Sequence, residues 1–194
     1  MVILAAGEGR RYGGIKQLAP IQNKPMLLHV MEHCRACPDT DLYVVLGAHE
    51  KAIRAQIDRG ETSVLLNENW RDGIASSIRA ATEKLQFDYD ALCFIGGDQP
   101  FVPTARLQRM ISCWQLNPDR IFCAAYGDTY GIPALFPQRY FTHLLELRGD
   151  QGAKSLLKEE GPMVEHIDIP EAAMDIDTPE QLAKYLNQLE ARSG

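Results

Sequence analysis

Ala91-Leu92-Cys93-Phe94-Ile95-Gly96-Gly97-Asp98-Gln99-Pro100 is a short apolar run closed by two glycines, an acid, an amide and a proline. With no polar residue alternating through it, the run reads as a strand buried on both faces, and Pro100 ends it. Leu107, Met110, Ile111 and Trp114 follow at the i, i+3, i+4, i+7 spacing of an amphipathic helix. Outward from here the pattern repeats. Apolar runs stand at Val2–Leu4, Leu42–Leu46, Val64–Leu66, Ile121–Tyr126, Pro133–Phe136 and Met163–Ile169, with helical patterns between most of them. Leu27, Val30, Met31 and Cys34 make one such stripe. Thr178-Pro179-Glu180-Gln181 reads as an N-cap, a proline at N1 and a capping-box glutamine, opening a helix whose buried face is Leu182, Leu186 and Leu189. Strands alternating with helices predict an α/β fold with a mostly parallel sheet covered on both faces. The alternation is strongest from Leu42 to Trp114. Ligands of such sheets bind outside the carboxyl ends of the strands, so the functional residues are sought just after each apolar run.

Composition agrees with one domain spanning residues 1–194. Apolar residues are 45% and charged residues 24% of the chain, as in an ordinary globular protein. A net charge of −6 argues against nucleic acid as a partner, since phosphate-backbone affinity is built from clustered Lys and Arg. No window approaches the roughly 18 uninterrupted apolar residues of a membrane span, and a turn cluster at Gly7 interrupts any signal-peptide pattern. The five cysteines (Cys34, Cys37, Cys93, Cys113, Cys123) are odd in number, and three lie in apolar runs; they read as buried free thiols of a reducing, cytoplasmic compartment.

After Val2-Ile3-Leu4 comes Ala5-Ala6-Gly7-Glu8-Gly9-Arg10-Arg11-Tyr12-Gly13-Gly14-Ile15-Lys16. Four glycines, two arginines and a lysine at a strand's carboxyl end suit a polyanion: glycine lets backbone N–H groups approach phosphate oxygens, and the cations neutralise charge. Gly9 and Gly14 have Walker spacing, but Gln17 replaces the metal-binding Ser or Thr after Lys16. Gly7, Gly9 and Gly13 imitate a dinucleotide fingerprint with one residue too many. Gly13-Gly14 and Pro20 interrupt the helix that should follow, and the second strand ends at Gly47-Ala48-His49 without the ribose-binding acid. Asp98 stands at another carboxyl strand end. Asp175-Ile176-Asp177 precedes the capped final helix, its two acids on one side if extended. One or two carboxylates plus substrate phosphates are the usual magnesium site. Taken alone, Asp177 reads equally as a carboxylate favoured by a helix N-terminus.

Together these segments resemble the MobA-like nucleotidyltransferase family, and more closely its molybdenum cofactor cytidylyltransferase branch. The likeness runs in order through Leu4-Ala5-Ala6-Gly7-x-Gly9-x-Arg11-x-Gly13-x-x-Lys16, Asn69-Trp70-x-x-Gly73-Ile74-x-x-Ser77-Ile78, Gly97-Asp98-Gln99-Pro100, Gly149-Asp150-Gln151-Gly152-Ala153-Lys154 and Asp175-Ile176-Asp177-Thr178-Pro179-Glu180. It implies a three-layer α/β/α Rossmannoid domain of the glycosyltransferase-A type with a mixed, mostly parallel sheet. It implies that Arg11 and Lys16 are catalytic, binding the triphosphate and offsetting charge at the reacting phosphorus. Leu4, Ala5, Ala6, Gly7, Gly9, Ser77, Gly97 and Asp98 complete the implied nucleotide site, with Ala5 and Ser77 near base and ribose. Asp98 and Asp177 would hold Mg2+, with Asp175 less suited. Gly149, Asp150, Gly152 and Lys154 would face the acceptor. The implied reaction moves CMP from CTP to the phosphate of molybdopterin, releasing pyrophosphate, and a molybdoenzyme is an expected partner. Ala5-Ala6-Gly7 favours cytidine, because the guanylyl branch has Ala-Gly-Gly there. The start departs from the family pattern, with very few residues before the first strand.

Other readings are a nucleotidyltransferase for a sugar phosphate or phospholactate, a non-catalytic cofactor carrier, and a dehydrogenase. His29-Val30-Met31-Glu32-His33 matches an inverted zincin pattern. At 100° per residue, however, both histidines fall opposite the stripe of Leu27, Val30, Met31 and Cys34, and are expected to face solvent. Cys34-Arg35-Ala36-Cys37 lies late in a helix with no second pair. Trp70 and Trp114 read as packing residues.

Overall fold

A computed structural model describes residues 1–57, 62–150 and 152–193, with side chains through Asn187. Strand β1 (Val2–Leu4) runs through the glycine-rich loop to a small hairpin, β2 (Pro20–Ile21) and β3 (Lys24–Pro25), turned by Gln22 and Asn23, both at positive φ. Then follow α1 (Met26–Arg35), β4 (Tyr43–Leu46), α2 (Glu50–Ile57), β5 (Ser63–Leu66), α3 (Ile74–Leu85), β6 (Ala91–Gly96) and α4 (Thr104–Leu116). The remainder is β7 (Ile121–Tyr126), β8 (Thr129–Pro137), α5 (Phe141–Glu146), α6 (Ala153–Glu159), β9 (Val164–Asp168) and α7 (Pro179–Ser193). The main sheet has the order β5-β4-β1-β6-β8-β7-β9. Its neighbours pair in parallel except at β6–β8 and β8–β7, so β8 alone runs against the rest.

Strand alternation sorts the core into two layers. Ile3, Val44, Leu46, Cys93 and Ile95 point to one face, where Leu27, Val30, Met31 and Cys34 of α1, Ile53 of α2 and Leu107 of α4 cover them. Val2, Leu4, Val45, Leu92 and Phe94 point to the other, under Ile78 and Ala81 of α3, Leu144 of α5 and Leu156 of α6. This is the doubly covered sheet that continuous apolar runs require. The capping box forms as read: Thr178 Oγ1 accepts from Gln181 N at 3.2 Å, while Gln181 Oε1 accepts from Thr178 N at 2.9 Å and Asp177 N at 2.8 Å. Leu182 is buried and Leu186 packs beside it with Ile176 and Met26. The Leu189 side chain lies outside the described residues.

Three details differ from the sequence reading. The Pro133–Phe136 run is part of a longer strand, β8, whose direction reverses because only Gly127 and Asp128 separate it from β7; a two-residue loop can join only antiparallel neighbours. That dipeptide is itself a hairpin signal. His29 and His33 are half-buried rather than solvent-facing, because the β2–β3 hairpin and the start of α4 lean on that side of α1. His29 Nε2 is 2.9 Å from Ile21 O, and His33 Nδ1 is 3.2 Å from Thr104 Oγ1. Of the four thiols that are buried as expected, burial raises Cys93 and Cys123 to about 12; Cys113 is partly exposed. All five are free, Cys34 and Cys37 included. No described helix is long and apolar enough to cross a membrane.

Candidate active site

The carboxyl ends of β1 and β6 and the start of α3 border a cleft of about 540 Å³, within the range of small-molecule sites. Of the predicted residues, Leu4, Ala5, Ala6, Gly7, Gly9, Arg11, Lys16, Ser77, Gly97, Asp98 and Asp150 line it. The strand end is drawn tight from both sides. Leu4 O accepts from Gly97 N at 2.9 Å, Ala5 N donates to Val45 O at 3.0 Å, and Ala6 O accepts from Ala48 N at 2.9 Å. A side chain at Gly97, directly after β6, would crowd Ala5 Cβ at 3.0 Å and Leu4 O at 3.2 Å, so glycine suits this close approach. The Ala6 methyl is buried, turned toward Gly47 and Trp70 rather than free in the cleft. Beyond Gly9 the chain makes two short 3-10 turns, Arg10–Tyr12 and Lys16–Leu18, instead of the helix that the dinucleotide fingerprint opens into.

The charged centre is compact. Lys16 Nζ donates to Asp98 Oδ2 at 2.7 Å and to Asp177 Oδ1 at 2.9 Å, and Arg11 Nη2 lies 2.7 Å from Asp177 Oδ2. The acid at the end of β6 and the acidic segment before α7, 79 residues apart, are thus joined on one ammonium, and their backbones are joined too, through Ile176 N to Asp98 O at 3.0 Å. Ile176 is fully buried and anchors the acidic pair. Burial alone would lower the Lys16 ammonium, but Asp98 and Asp177 more than reverse this, holding its pKa above the usual range. Asp175 goes the other way. Partial burial, then the charges of Asp98 and Asp177, raise its carboxyl above the usual carboxylate range.

The donor set suits a hard divalent cation, because two carboxylates already converge on one positive group. Among the described residues no three His, Cys, Asp or Glu side chains form a self-contained cage. A metal held by Asp98 and Asp177 would therefore complete its shell with phosphate oxygens and water, the usual habit of magnesium.

Ser77 reaches the cleft, but its hydroxyl accepts from Asn67 Nδ2 at 3.0 Å, and the same amide donates to Ser76 Oγ at 2.8 Å. Asp150 and Gly149 crowd the start of α3: Gly149 O accepts from Ala75 N at 3.2 Å. Gly73, at φ 83°, leaves no room for a β-carbon against Gly149 and the Asp150 carboxylate. Gly152 precedes α6 and packs against Ile74. Lys154 is not brought into this cleft; its Nζ donates to Thr129 Oγ1 at 2.6 Å and lies 5.9 Å from the centre of the Tyr130 ring. Gln151 lies outside the described residues.

Several lining residues escaped the sequence reading. Arg71 stacks on Trp70 at 4.2 Å, and both border the cleft, so Trp70 packs and lines at once. Glu8 and Arg10 pair at 2.7 Å on the rim. Gln17 is buried under the loop. Its only signal was its place directly after Lys16. Gln99 is also buried: Oε1 accepts from Gly96 N at 3.0 Å, and Nε2 donates to Ile132 O at 3.0 Å and Ala172 O at 3.1 Å. It stiffens the turn that carries Asp98.

A Rossmann-like three-layer fold with a glycine-rich cationic loop facing paired carboxylates defines a nucleotide-handling class. The chain belongs to the MobA-like NTP transferase domain family, whose model matches residues 1–165. It is 26% identical over 196 residues to nicotine blue oxidoreductase of Paenarthrobacter nicotinovorans, covering 95% of both chains. The solved structure of Rv0371c from Mycobacterium tuberculosis H37Rv superposes with a TM-score of 0.81 at 29% identity over 96% of each chain. A second structure of Rv0371c is a complex with manganese (TM-score 0.79, 28% identity, 96% of each chain). Molybdopterin-guanine dinucleotide biosynthesis protein A from Archaeoglobus fulgidus shares the fold, with a TM-score of 0.74 at 18% identity over 98% of each chain. Of the bifunctional GlmU proteins that it also matches, the chain spans about a quarter to a third.

Proposed function

We propose that this protein transfers CMP from CTP to the phosphate of molybdopterin, expelling pyrophosphate, with Mg2+ bound between Asp98 and Asp177. The observation that carries the reading is the Lys16 ammonium bridging those two carboxylates beside a cleft-lining loop whose Ala6, Gly7 and Gly9 N–H groups have no acceptor among the described residues. A divalent cation there would neutralise phosphate charge and act as a Lewis acid on the α-phosphoryl group. The protein's part is positioning and electrostatics. Loop amides of Ala6, Gly7 and Gly9 receive the triphosphate, while Lys16 leaves its carboxylates for the phosphates as the nucleotide binds. Arg11, largely exposed and already turned inward by Asp177, offsets charge at the reacting phosphorus. A phosphate monoester has its second pKa near 6, so the acceptor arrives mostly ionised at pH 7 and needs no strong base. The absence of a histidine among the residues lining the cleft suits that chemistry. Gly149 and Asp150, beside the start of α3, stand where an acceptor would approach; Lys154 would have to leave Thr129 to join them.

The choice of CTP rests on Ala6. Its buried methyl lies beside Gly47, against which Trp70 packs closely, so a glycine at this position would loosen the packing behind the cleft wall and give a larger base more room. The decisive assay is pyrophosphate release with CTP and with GTP, using magnesium and molybdopterin. A kcat/KM for CTP at least tenfold above that for GTP supports the cytidylyl reading. Equal values overturn it but keep nucleotidyl transfer. Activity with a sugar phosphate or phospholactate alone would move the acceptor, and binding without turnover would make the chain a cofactor carrier for a molybdoenzyme. The full-length likeness to nicotine blue oxidoreductase favours one second reading, an oxidoreductase. Oxidation of NADH or NADPH by the protein in the presence of an acceptor dye would establish it.

A further inference from the structure

Gln17 is 3% exposed, and its side-chain amide is turned to the backbone of the glycine-rich loop. Its Nε2 donates to Ala5 O at 3.0 Å and to Gly7 O at 2.8 Å. Both hydrogens of the amide are thereby spent on the glycine-rich loop, which fixes which end of the carboxamide is nitrogen. The other end, Oε1, is buried and has no protein donor among the described residues. A buried acceptor without a protein donor is a cost that leucine or methionine at this position would avoid.

The consequence lies in the loop. The carbonyls of Leu4, Ala5, Ala6 and Gly7 are all claimed by protein donors: Gly97 N, Gln17 Nε2, Ala48 N and Gln17 Nε2 again. Among the described residues, none accepts from the N–H of Ala6, Gly7 or Gly9. The peptide planes are therefore set with oxygens turned into the protein and hydrogens left for a ligand. Without the carboxamide, the Ala5 and Gly7 oxygens would lose both donors, and either could turn to the cleft, where a carbonyl dipole repels phosphate.

Resting on the nucleotidyltransferase reading, we propose that Gln17 is a positioning residue for the triphosphate. It makes the loop selective for anions by holding two carbonyls out of the cleft, and the unpartnered Oε1 is the stability given up for that arrangement. The partner it recognises is backbone, so its effect falls on binding of the phosphate chain and not on the base.

The test uses the full chain, with inorganic tripolyphosphate and CTP as probes, each with magnesium, titrated calorimetrically. Gln17→Met keeps the volume and removes both donors. It is expected to weaken tripolyphosphate and CTP by a similar 10- to 100-fold factor while the melting temperature holds or rises. Gln17→Glu places an ionised carboxylate against two carbonyls, and is expected to bind weakly at pH 8. Relative to wild type at each pH, it should recover toward pH 5.5, as the protonated carboxyl again donates to one carbonyl. Wild-type affinity in Gln17→Met overturns the proposal. So does a loss of affinity that tracks a fall in melting temperature in both variants, with no recovery of Gln17→Glu at low pH, since that is the mark of a merely structural residue. A wild-type chain that binds neither probe overturns the nucleotidyltransferase reading and this proposal with it; a wild-type chain that binds both isolates the failure to Gln17.

Discussion

Replacing Lys16 with methionine should do two opposite things, and the geometry sets their size. The ammonium is held at 2.7 Å by Asp98 and at 2.9 Å by Asp177, with only 13% of its side chain exposed. At an effective dielectric constant near 20, unit charges about 4 Å apart attract by about 4 kcal/mol, and desolvation offsets much of this. Removing one partner from a buried pair costs about 3–5 kcal/mol, because the other charge is stranded. Here the loss is smaller, for Asp177 keeps Arg11 and Asp98 retains 28% exposure. About 2–3 kcal/mol is expected, which at about 2–4 °C per kcal/mol for a chain of this size lowers the melting temperature by about 4–12 °C. The same variant leaves the two carboxylates with only the exposed Arg11 guanidinium on Asp177 as counter-charge, so a divalent cation no longer competes with the ammonium. Manganese or magnesium should then stabilise Lys16→Met with no nucleotide present, by about 1.4 kcal/mol at ten times the dissociation constant. The wild type should respond much less. Differential scanning fluorimetry with and without metal, checked by isothermal titration, measures both effects. A variant as stable as wild type, or one that gains no more from metal than wild type does, would refute the view that Lys16 stands where the cation goes.

The other expectations are simpler. Asp98→Ala and Asp177→Ala should each remove most metal-dependent pyrophosphate release while circular dichroism stays unchanged; near-wild-type turnover in either removes that residue from the metal site. Arg11→Ala should lower the single-turnover rate constant by about 10²–10³ with little change in CTP affinity, since electrostatic contacts at the reacting phosphorus act in the transition state. Ala6→Gly should narrow the preference for CTP over GTP by about tenfold, read as a ratio of kcat/KM values. His33 supplies a pH dependence. Burial, then the nearby His29, hold its pKa below the usual 6.5, so its contribution to stability is full above that value. It declines as the pH falls from 6.5 through the lower folded value, because the unfolded chain takes the proton first. His33→Gln should flatten the melting temperature between pH 7 and pH 5, and an unchanged slope would put the proton elsewhere.

Local periodicity was enough to read much of this protein. Continuous apolar runs, with α1 and α4 between them, set a sheet covered on both faces, since an uninterrupted run can be satisfied only by burial on two sides. The Thr178-to-Gln181 box was legible because capping bonds span three residues and depend on nothing distant. Gly7, Gly9, Arg11, Lys16 and Asp98, which line the cleft, were legible as candidates because glycines and charges at a strand's carboxyl end have few other uses. What needed tertiary structure was whatever depended on partners far along the chain. The direction of β8 follows from a two-residue loop, but its place between β6 and β7 is a long-range pairing. Asp98 and Asp177 meet on Lys16 only because Ile176 docks against the Asp98 backbone. The two histidines of α1 are sheltered by elements that no helical wheel includes. Gln17 looked like an unremarkable neighbour of a lysine, since its work is done through hydrogen bonds to carbonyls ten and twelve residues back. The sequence states which groups are available near a strand end; only folding decides which of them face one another across it.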